Sequence, residues 1–140
     1  MPDDAHSTSS TRKMKLAVSS KANPVMVKGR RDFFTYRELG VTEGTNGRMR
    51  AQVTAATNGM AKETGWHYHT CEMQLVYMLE GWLDLEFEDR KVRLHAGDSL
   101  MIPGGAKHNE TATSDAFELL EVSVPAEMGT VNCDPPVKKG

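Results

Sequence analysis

Residues 65–81 read Gly65-Trp-His67-Tyr-His69-Thr-Cys-Glu-Met-Gln74-Leu-Val-Tyr-Met-Leu-Glu-Gly81, and this stretch decides the fold. Residues two apart on an extended strand point to the same face, so the imidazoles of His67 and His69 are expected to lie side by side. A turn-rich passage further along the chain ends with a third histidine, His108. Imidazoles from neighbouring strands can share one metal ion, and the pattern therefore predicts a metal site.

These two stretches resemble the two motifs of the cupin superfamily. The first motif is a glycine, His-x-His, four residues, an acidic or amide ligand, six residues and a glycine, matched here by His67, His69, Gln74 and Gly81. The second is a glycine, five residues, a proline, one residue, a glycine, two residues and a histidine, matched here by Gly97, Pro103, Gly105 and His108. The resemblance extends from about residue 31 to residue 125 and implies a small, single-domain cupin.

Short strand-like segments separated by turn residues dominate the chain from Arg30 onward. The clearest is residues 82–94, where Leu83, Leu85 and Phe87 alternate with acidic residues, which predicts a hairpin. No helical stripe interrupts this pattern, so the sequence predicts an all-β sandwich or barrel. The resemblance narrows the class to the double-stranded β-helix, the jelly-roll β-barrel of RmlC-like cupins.

Three regions are expected along the chain. Residues 1–28 are polar and predict a flexible or partner-packed N-terminal segment, disordered over residues 1–13. Residues 29–126 should form the barrel, and residues 127–140 should form a loose C-terminal tail. In cupins the N-terminal strands often pack on a neighbouring subunit, so the resemblance also implies a homodimer.

The resemblance implies four metal ligands, namely His67, His69, Gln74 and His108. Many cupins carry glutamate where this chain has Gln74, and an amide leaves the full charge of a divalent ion on the site. That favours polarisation of a substrate oxygen over oxygen activation. Glu72 shares strand parity with Gln74 and would replace it if the strand bulged. Imidazole-rich sites suit Fe, Ni, Zn, Mn or Cu, among which the sequence does not choose.

Several other polar side chains are candidates for the same pocket. Glu110 lies two residues beyond His108 and is predicted to act as a general base, with a surface salt bridge as the alternative. Arg50 and Gln52 either face water or help to hold an anionic ligand. Cys71 is either a small buried side chain or a thiol close to the metal.

Three functions are consistent with these residues. The first is a divalent-metal-dependent enzyme that isomerises or tautomerises a small polar or anionic metabolite. The second is an Fe(II)-type cupin dioxygenase, and the third is a non-catalytic module that binds a metal or a small ligand. Intact metal-binding histidines favour the first two over the third.

Composition excludes several other classes. The 140 residues carry 17 basic and 19 acidic side chains and a formal net charge of −2, which is not the signature of a nucleic-acid-binding protein. The apolar runs are too short for a membrane span, and residues 1–10 do not resemble a signal peptide, so a cytoplasmic location is expected. In that compartment Cys71 and Cys133 are not expected to form a disulfide.

Overall fold

The computed structural model describes residues 13–137. The expected disorder of residues 1–13 therefore falls outside the described residues except at Lys13, as do the last three residues of the expected tail. Residues 13–137 contain eleven strands and one helix of four residues. No helix among these residues is long and apolar enough to cross a bilayer.

The elements follow one another along the chain with short connections. The strands are β1 (Val25–Val27), β2 (Thr35–Glu38), β3 (Arg50–Ala56), β4 (His67–His69), β5 (Met73–Glu80), β6 (Trp82–Phe87), β7 (Lys91–His95), β8 (Ser99–Pro103), β9 (His108–Thr113), β10 (Phe117–Val124) and β11 (Thr130–Asn132). The helix α1 (Val41–Gly44) lies between β2 and β3, where the sequence indicates only a turn.

Two antiparallel sheets form the barrel. The first has six strands in the order β1-β2-β3-β10-β5-β8, and the second has five strands in the order β11-β4-β9-β6-β7. Strands distant in sequence are neighbours in both sheets, as in a jelly roll. The predicted all-β jelly-roll β-barrel is therefore confirmed.

The hairpin of β6 and β7 shows how alternation builds the second sheet. Leu83 pairs with Leu94, and both side chains are buried. On the opposite face Asp84 accepts a hydrogen bond of 2.7 Å from Arg93, whose guanidinium carbon also lies 3.9 Å from the centre of the Trp82 ring. Apolar residues thus face the interior and charged residues face water, as the sequence predicts.

The interior changes from apolar to polar along the strands of the first sheet. On β10 the inward positions are Phe117 and Leu119, followed by Glu121 and Ser123. An apolar core occupies the first part of this path, formed by Ala56, Val76, Met78, Leu83, Leu85, Leu94, Phe117 and Leu119. The remaining inward positions of β3, β5 and β10 are polar and buried, which is unusual unless they bind each other or a ligand.

Two segments differ from the sequence-based expectation. Residues 130–132, expected in a loose tail, form β11 and pair with β4. The apolar stretch at residues 14–18, which the sequence indicates as a strand, forms none. Strand β1, by contrast, lies within the apolar stretch at residues 24–27, which the sequence also indicates as a strand, and it pairs with β2. Edge pairing decides these short segments, and a sequence of three apolar or polar residues carries too little periodicity to reveal it.

Candidate metal centre and polar cavity

Three histidines converge between the two sheets. His67 and His69 point inward from β4, and His108 of β9 lies directly opposite His67 in the strand register. One ring nitrogen from each lies within 4.8 Å of the others, and the ring centroids of His67 and His108 are 4.4 Å apart. All three side chains are buried. This cluster could hold a metal ion.

Hydrogen bonds set the orientation of the rings. The Nδ1 of His67 lies 2.7 Å from the carbonyl oxygen of Gly65, and that of His108 lies 2.9 Å from the carbonyl oxygen of Ala106. A carbonyl oxygen can only accept, so both Nδ1 atoms carry the proton and both Nε2 atoms keep a free lone pair. Thr130 of β11 contacts Nδ1 of His69 at 3.0 Å and orients the third ring.

Burial favours the neutral form, which binds metals, for the imidazoles of His67 and His69. Burial, with a smaller effect from His108 and His67, lowers the pKa of His69 to about 4. Burial also lowers the pKa of His67, although Glu110 opposes this. Neutral imidazole is the ligand form of histidine, so no proton has to be displaced near pH 7.

Asn109 and Phe87 support the cluster from the second sheet. The buried Asn109 side-chain oxygen accepts a hydrogen bond of 2.9 Å from the backbone N–H of Gly65, whose carbonyl orients His67. Phe87 pairs with His108 in the register, and the two rings stack at a centroid distance of 5.8 Å. The positions of two rings therefore depend on side chains that do not reach the centre of the cluster.

Glu110 lies beside the histidines, where the sequence predicts a general base. Its Oε2 is 3.4 Å from Nε2 of His67 and accepts a hydrogen bond of 2.7 Å from the Thr64 hydroxyl. Burial favours the neutral acid, but His67, His108 and the Thr64 hydroxyl outweigh it and lower the pKa of Glu110. A carboxylate therefore faces the interior from the strand that carries His108.

A half-buried carboxylate on the opposite sheet organises the facing wall. Glu121 accepts hydrogen bonds from the side-chain amides of Gln74 at 2.6 Å and Gln52 at 2.9 Å, and Arg50 lies 3.5 Å away. Burial raises the pKa of Glu121, whereas Arg50 and the two amides oppose the rise. The two amide hydrogen bonds and the nearby charge of Arg50 therefore offset part of the effect of burial on this carboxyl group.

The residues present fit a cation. Because the Gln74 amide nitrogen donates to Glu121, its oxygen is left as the free atom, and that buried oxygen has no partner in the described part of the chain. In addition, Nε2 of His67 lies 3.4 Å from Oε2 of Glu110. Both atoms are hydrogen-bond acceptors, so neither satisfies the other. Paired acceptors and an orphaned amide oxygen are the surroundings that a positive ion would satisfy.

Gln74 and Glu72, the two candidates for the fourth ligand, differ in burial. Gln74 is buried and lines the same cavity as His67 and His69. Glu72 is exposed and lies on the bend before β5. The exposed His95 at the end of β7 lies outside the cluster, as expected.

Of the other candidates for the pocket, Arg50 and Gln52 line the cavity and Cys71 does not. Arg50 and Gln52 face the interior of the barrel, and the reading in which they face water is wrong. Cys71 is buried, which raises the pKa of its thiol, and it is not among the described residues that line the cavity. Its burial and its place outside the cavity lining favour the interpretation of Cys71 as a small packed side chain. Cys71 and Cys133 are both free thiols.

The centre opens into a large cavity of about 1330 Å³. Its wall includes both sheets, the loop between β1 and β2, and residues 15–20. The space exceeds that of typical small-molecule sites, so an organic ligand can reach the histidines and the facing polar wall together.

Sequence reasoning missed Glu121, Thr130 and Arg30 as residues of this cavity. A signal for Glu121 was present, because period-two alternation places it on the same face as Phe117 and Leu119. Thr130 lies in the three-residue strand β11 and Arg30 lies in the loop between β1 and β2, and neither segment is long enough to show such a pattern.

Comparison with known proteins agrees with this architecture. A family model described as a cupin domain matches residues 57–124, which contain all three histidines. Over 47 residues the chain is 43% identical to the uncharacterised protein YdbB of Bacillus subtilis (strain 168). That match covers 33% of this chain and 42% of YdbB, so the chain spans about two fifths of the curated relative.

Solved structures share the fold at low sequence identity. RemF, a polyketide cyclase from Streptomyces resistomycificus, has a TM-score of 0.69 and 20% identity and covers 89% of each chain. KdgF from Halomonas sp. has a TM-score of 0.67 and 17% identity, covering 81% of this chain and 96% of its own. An RmlC-like cupin from Shewanella frigidimarina NCIMB 400 has a TM-score of 0.64 and 21% identity, covering 82% and 96%.

Replacing Glu121 by alanine should destabilise the protein, because it leaves Arg50 and two buried amides without their acceptor. We expect E121A to lower the free energy of unfolding by about 2–4 kcal/mol. Glu118 lies on the opposite face of the same strand, and E118A should change it by less than about 0.5 kcal/mol. Urea unfolding followed by circular dichroism measures both. Equal effects of the two substitutions would contradict the buried network.

Proposed function

The chain belongs to the cupin superfamily, and from its three-histidine centre we propose that it is a divalent-metal-dependent enzyme that isomerises or tautomerises a small polar or anionic metabolite. The metal ligands in this proposal are His67, His69, His108 and the side-chain oxygen of Gln74. The native ion would be a transition metal such as Fe, Ni, Zn, Mn or Cu. The observation that carries the proposal is the convergence of three buried imidazoles beside the carboxylate of Glu110.

Glu110 supplies the proton transfer in this proposal. A bound divalent ion would act as a Lewis acid that polarises a carbonyl or enol oxygen and acidifies the adjacent C–H. Glu110 would take that proton on Oε2 and return it to another atom of the same substrate, which changes no oxidation state. The Thr64 hydroxyl, which donates to Oε2, and the Thr64 N–H, which donates to the Glu110 carbonyl, hold this side chain in place.

A catalytic function is compatible with this fold, since RemF, described as a polyketide cyclase, has a similar barrel. The polar wall of Gln52, Gln74 and Glu121 gives this cavity donors and acceptors that a purely structural barrel would not need. A small polar metabolite is the ligand that such a wall would accept.

Metal content tests the ligand assignment. Protein purified without chelator should contain near-stoichiometric transition metal by inductively coupled plasma mass spectrometry. We expect H67A and H108A each to remove most of it, because each deletes an imidazole from the centre. H95A removes a histidine that is exposed on β7 and should leave the content unchanged. A double variant, H67A/H108A, that kept the metal would show that the ion binds elsewhere.

Hydrogen exchange tests the reaction class. Metal-loaded protein in D₂O should catalyse deuterium incorporation next to the carbonyl of short 2-oxo acids, followed by proton NMR. E110Q should slow this by about 10²–10⁴-fold at unchanged metal content, because an amide cannot accept the proton. E72Q, at an exposed carboxylate, is the control.

Two other outcomes would replace the proposed reaction. Substrate-dependent oxygen uptake without exchange would indicate an Fe(II)-type dioxygenase. Metal binding with neither activity would indicate a non-catalytic binding module.

We also infer that the protein is a homodimer through the outer face of the six-stranded sheet. The alternate residues of β5 that point outward are Met73, Leu75, Tyr77 and Leu79, all at least 40% exposed. Met101 of the neighbouring edge strand β8 pairs with Leu75 and is 56% exposed. A contiguous apolar sheet face of this kind marks an interaction surface, and a second copy would cover it symmetrically.

Charge at the centre of this face should separate the subunits. We expect L75R to halve the molar mass measured by light scattering after size exclusion, because it buries an unpaired charge in the interface. V131R, at an exposed apolar residue of the other sheet, should leave the mass unchanged. A wild-type monomer, or an L75R protein that keeps the dimer mass, would contradict the inference.

A further inference from the structure

Five cationic and four anionic side chains line the cavity, and most of the cations have partners. Lys15 forms an ion pair of 2.7 Å with Glu43. Arg31 donates a hydrogen bond of 2.8 Å to the carbonyl of Thr64, and Arg50 lies beside Glu121. The two that remain are Lys28 and Arg30, which have no hydrogen bond or ion pair to another residue in the described range 13–137.

The residues on both sides of Arg30 are held in place by Tyr36. The backbone N–H of Arg31 donates a hydrogen bond of 3.2 Å to the Tyr36 hydroxyl. The ring of Tyr36 packs so closely on Gly29 that a Cβ at that position would overlap it. The backbone of the β1–β2 loop is therefore fixed at the point where the Arg30 side chain leaves it, and less entropy is lost when that side chain binds a ligand.

Arg30 lines the same cavity as His67 and His69. Burial, followed by Arg31, lowers the pKa of Arg30, and Glu110, Tyr36 and Glu121 oppose the shift. Lys28 and Arg30 are both exposed, and both line the cavity that also contains His67, Glu110 and Glu121. Of these two cations, only the Arg30 guanidinium offers the paired N–H donors that fit both oxygens of a carboxylate.

We propose that Arg30 binds a carboxylate of the substrate, so that the enzyme acts on small organic acids that carry a second oxygen donor for the metal. The second half of this statement rests on the proposed metal-dependent function. The guanidinium is planar and presents paired N–H donors that match the two oxygens of a carboxylate. A single free guanidinium in a cavity that also holds Glu110 and Glu121 suits a monoanionic group better than a phosphate dianion, which both carboxylates would repel.

Binding of short diacids and their monoamides tests this assignment. The probes are malonate, succinate and glutarate with malonamate, succinamate and glutaramate, measured by calorimetry at constant ionic strength with metal-loaded protein. Three chain lengths are used so that one can span from the metal to Arg30. Wild-type protein should bind the best diacid at least tenfold more tightly than its monoamide, because the amide cannot form the charged pair.

The variants assign that preference to one side chain. R30Q should abolish the preference for diacid over monoamide, and R30K should retain part of it, since lysine keeps the charge without the fork. K28Q removes the other unpaired cation from the same loop and should keep the preference within about twofold. Metal content should be the same in all four proteins.

Three results would overturn the proposal. The first is that R30Q still binds the diacid more tightly than the monoamide, and the second is that K28Q, and not R30Q, loses this preference. The third is that the wild-type protein binds no diacid more tightly than its monoamide, or that it binds inorganic phosphate more tightly than any diacid. Repeating the titrations without metal separates this test from that of the proposed function. A protein that binds no metal but discriminates acid from amide through Arg30 would sink the metal-dependent reaction and leave the carboxylate site standing.

Discussion

The polar half of the barrel depends on the contacts of one half-buried carboxylate, that of Glu121. A charge inside a barrel is unfavourable unless donors surround it, and here they come from the two strands adjacent to β10. Arg50 and Gln52 approach from β3 and Gln74 approaches from β5. Because one carboxyl group binds all three, it ties the central strands of the six-stranded sheet together by side chains as well as by their backbone ladders.

The same carboxylate sets the chemistry of the wall that faces the histidines. Glu121 accepts a hydrogen bond from the side-chain nitrogen of Gln74. The amide oxygen of Gln74 then points away from Glu121 and has no partner among residues 13–137. The buried hydroxyl of Ser123, next to Gln74 in the register, likewise has no partner among residues 13–137. Polar atoms left unsatisfied at one end of an otherwise packed interior are typical of a binding site rather than of a core.

The sequence predicts those parts of this site that lie within regular strands. Period-two spacing places His67 and His69 on one face, and the hairpin of residues 82–94 follows from its alternation. Alternation gives the two faces of a strand but not which one is inward. Strand β3 is buried on both faces, with Ala51 on one and Gln52 on the other, so the expectation that its polar side faces water had no local signal against it. Arg30 had no such signal, because it lies in an irregular loop whose backbone is held by Tyr36.

Charge balance distinguishes this cavity from one with an acidic ligand at the position of Gln74. The sequence indicates that an amide there leaves the charge of a divalent ion unneutralised, yet four carboxylates line the same cavity, Glu110 and Glu121 among them. Five cationic side chains line it as well, so the side chains of the cavity carry no net negative charge with which to neutralise a bound ion. The positive charge of a bound ion would therefore not be neutralised by the cavity, although Glu110 and Glu121 both line it. An anionic substrate would supply the missing negative charge, and this links the amide at residue 74 to a preference for organic acids.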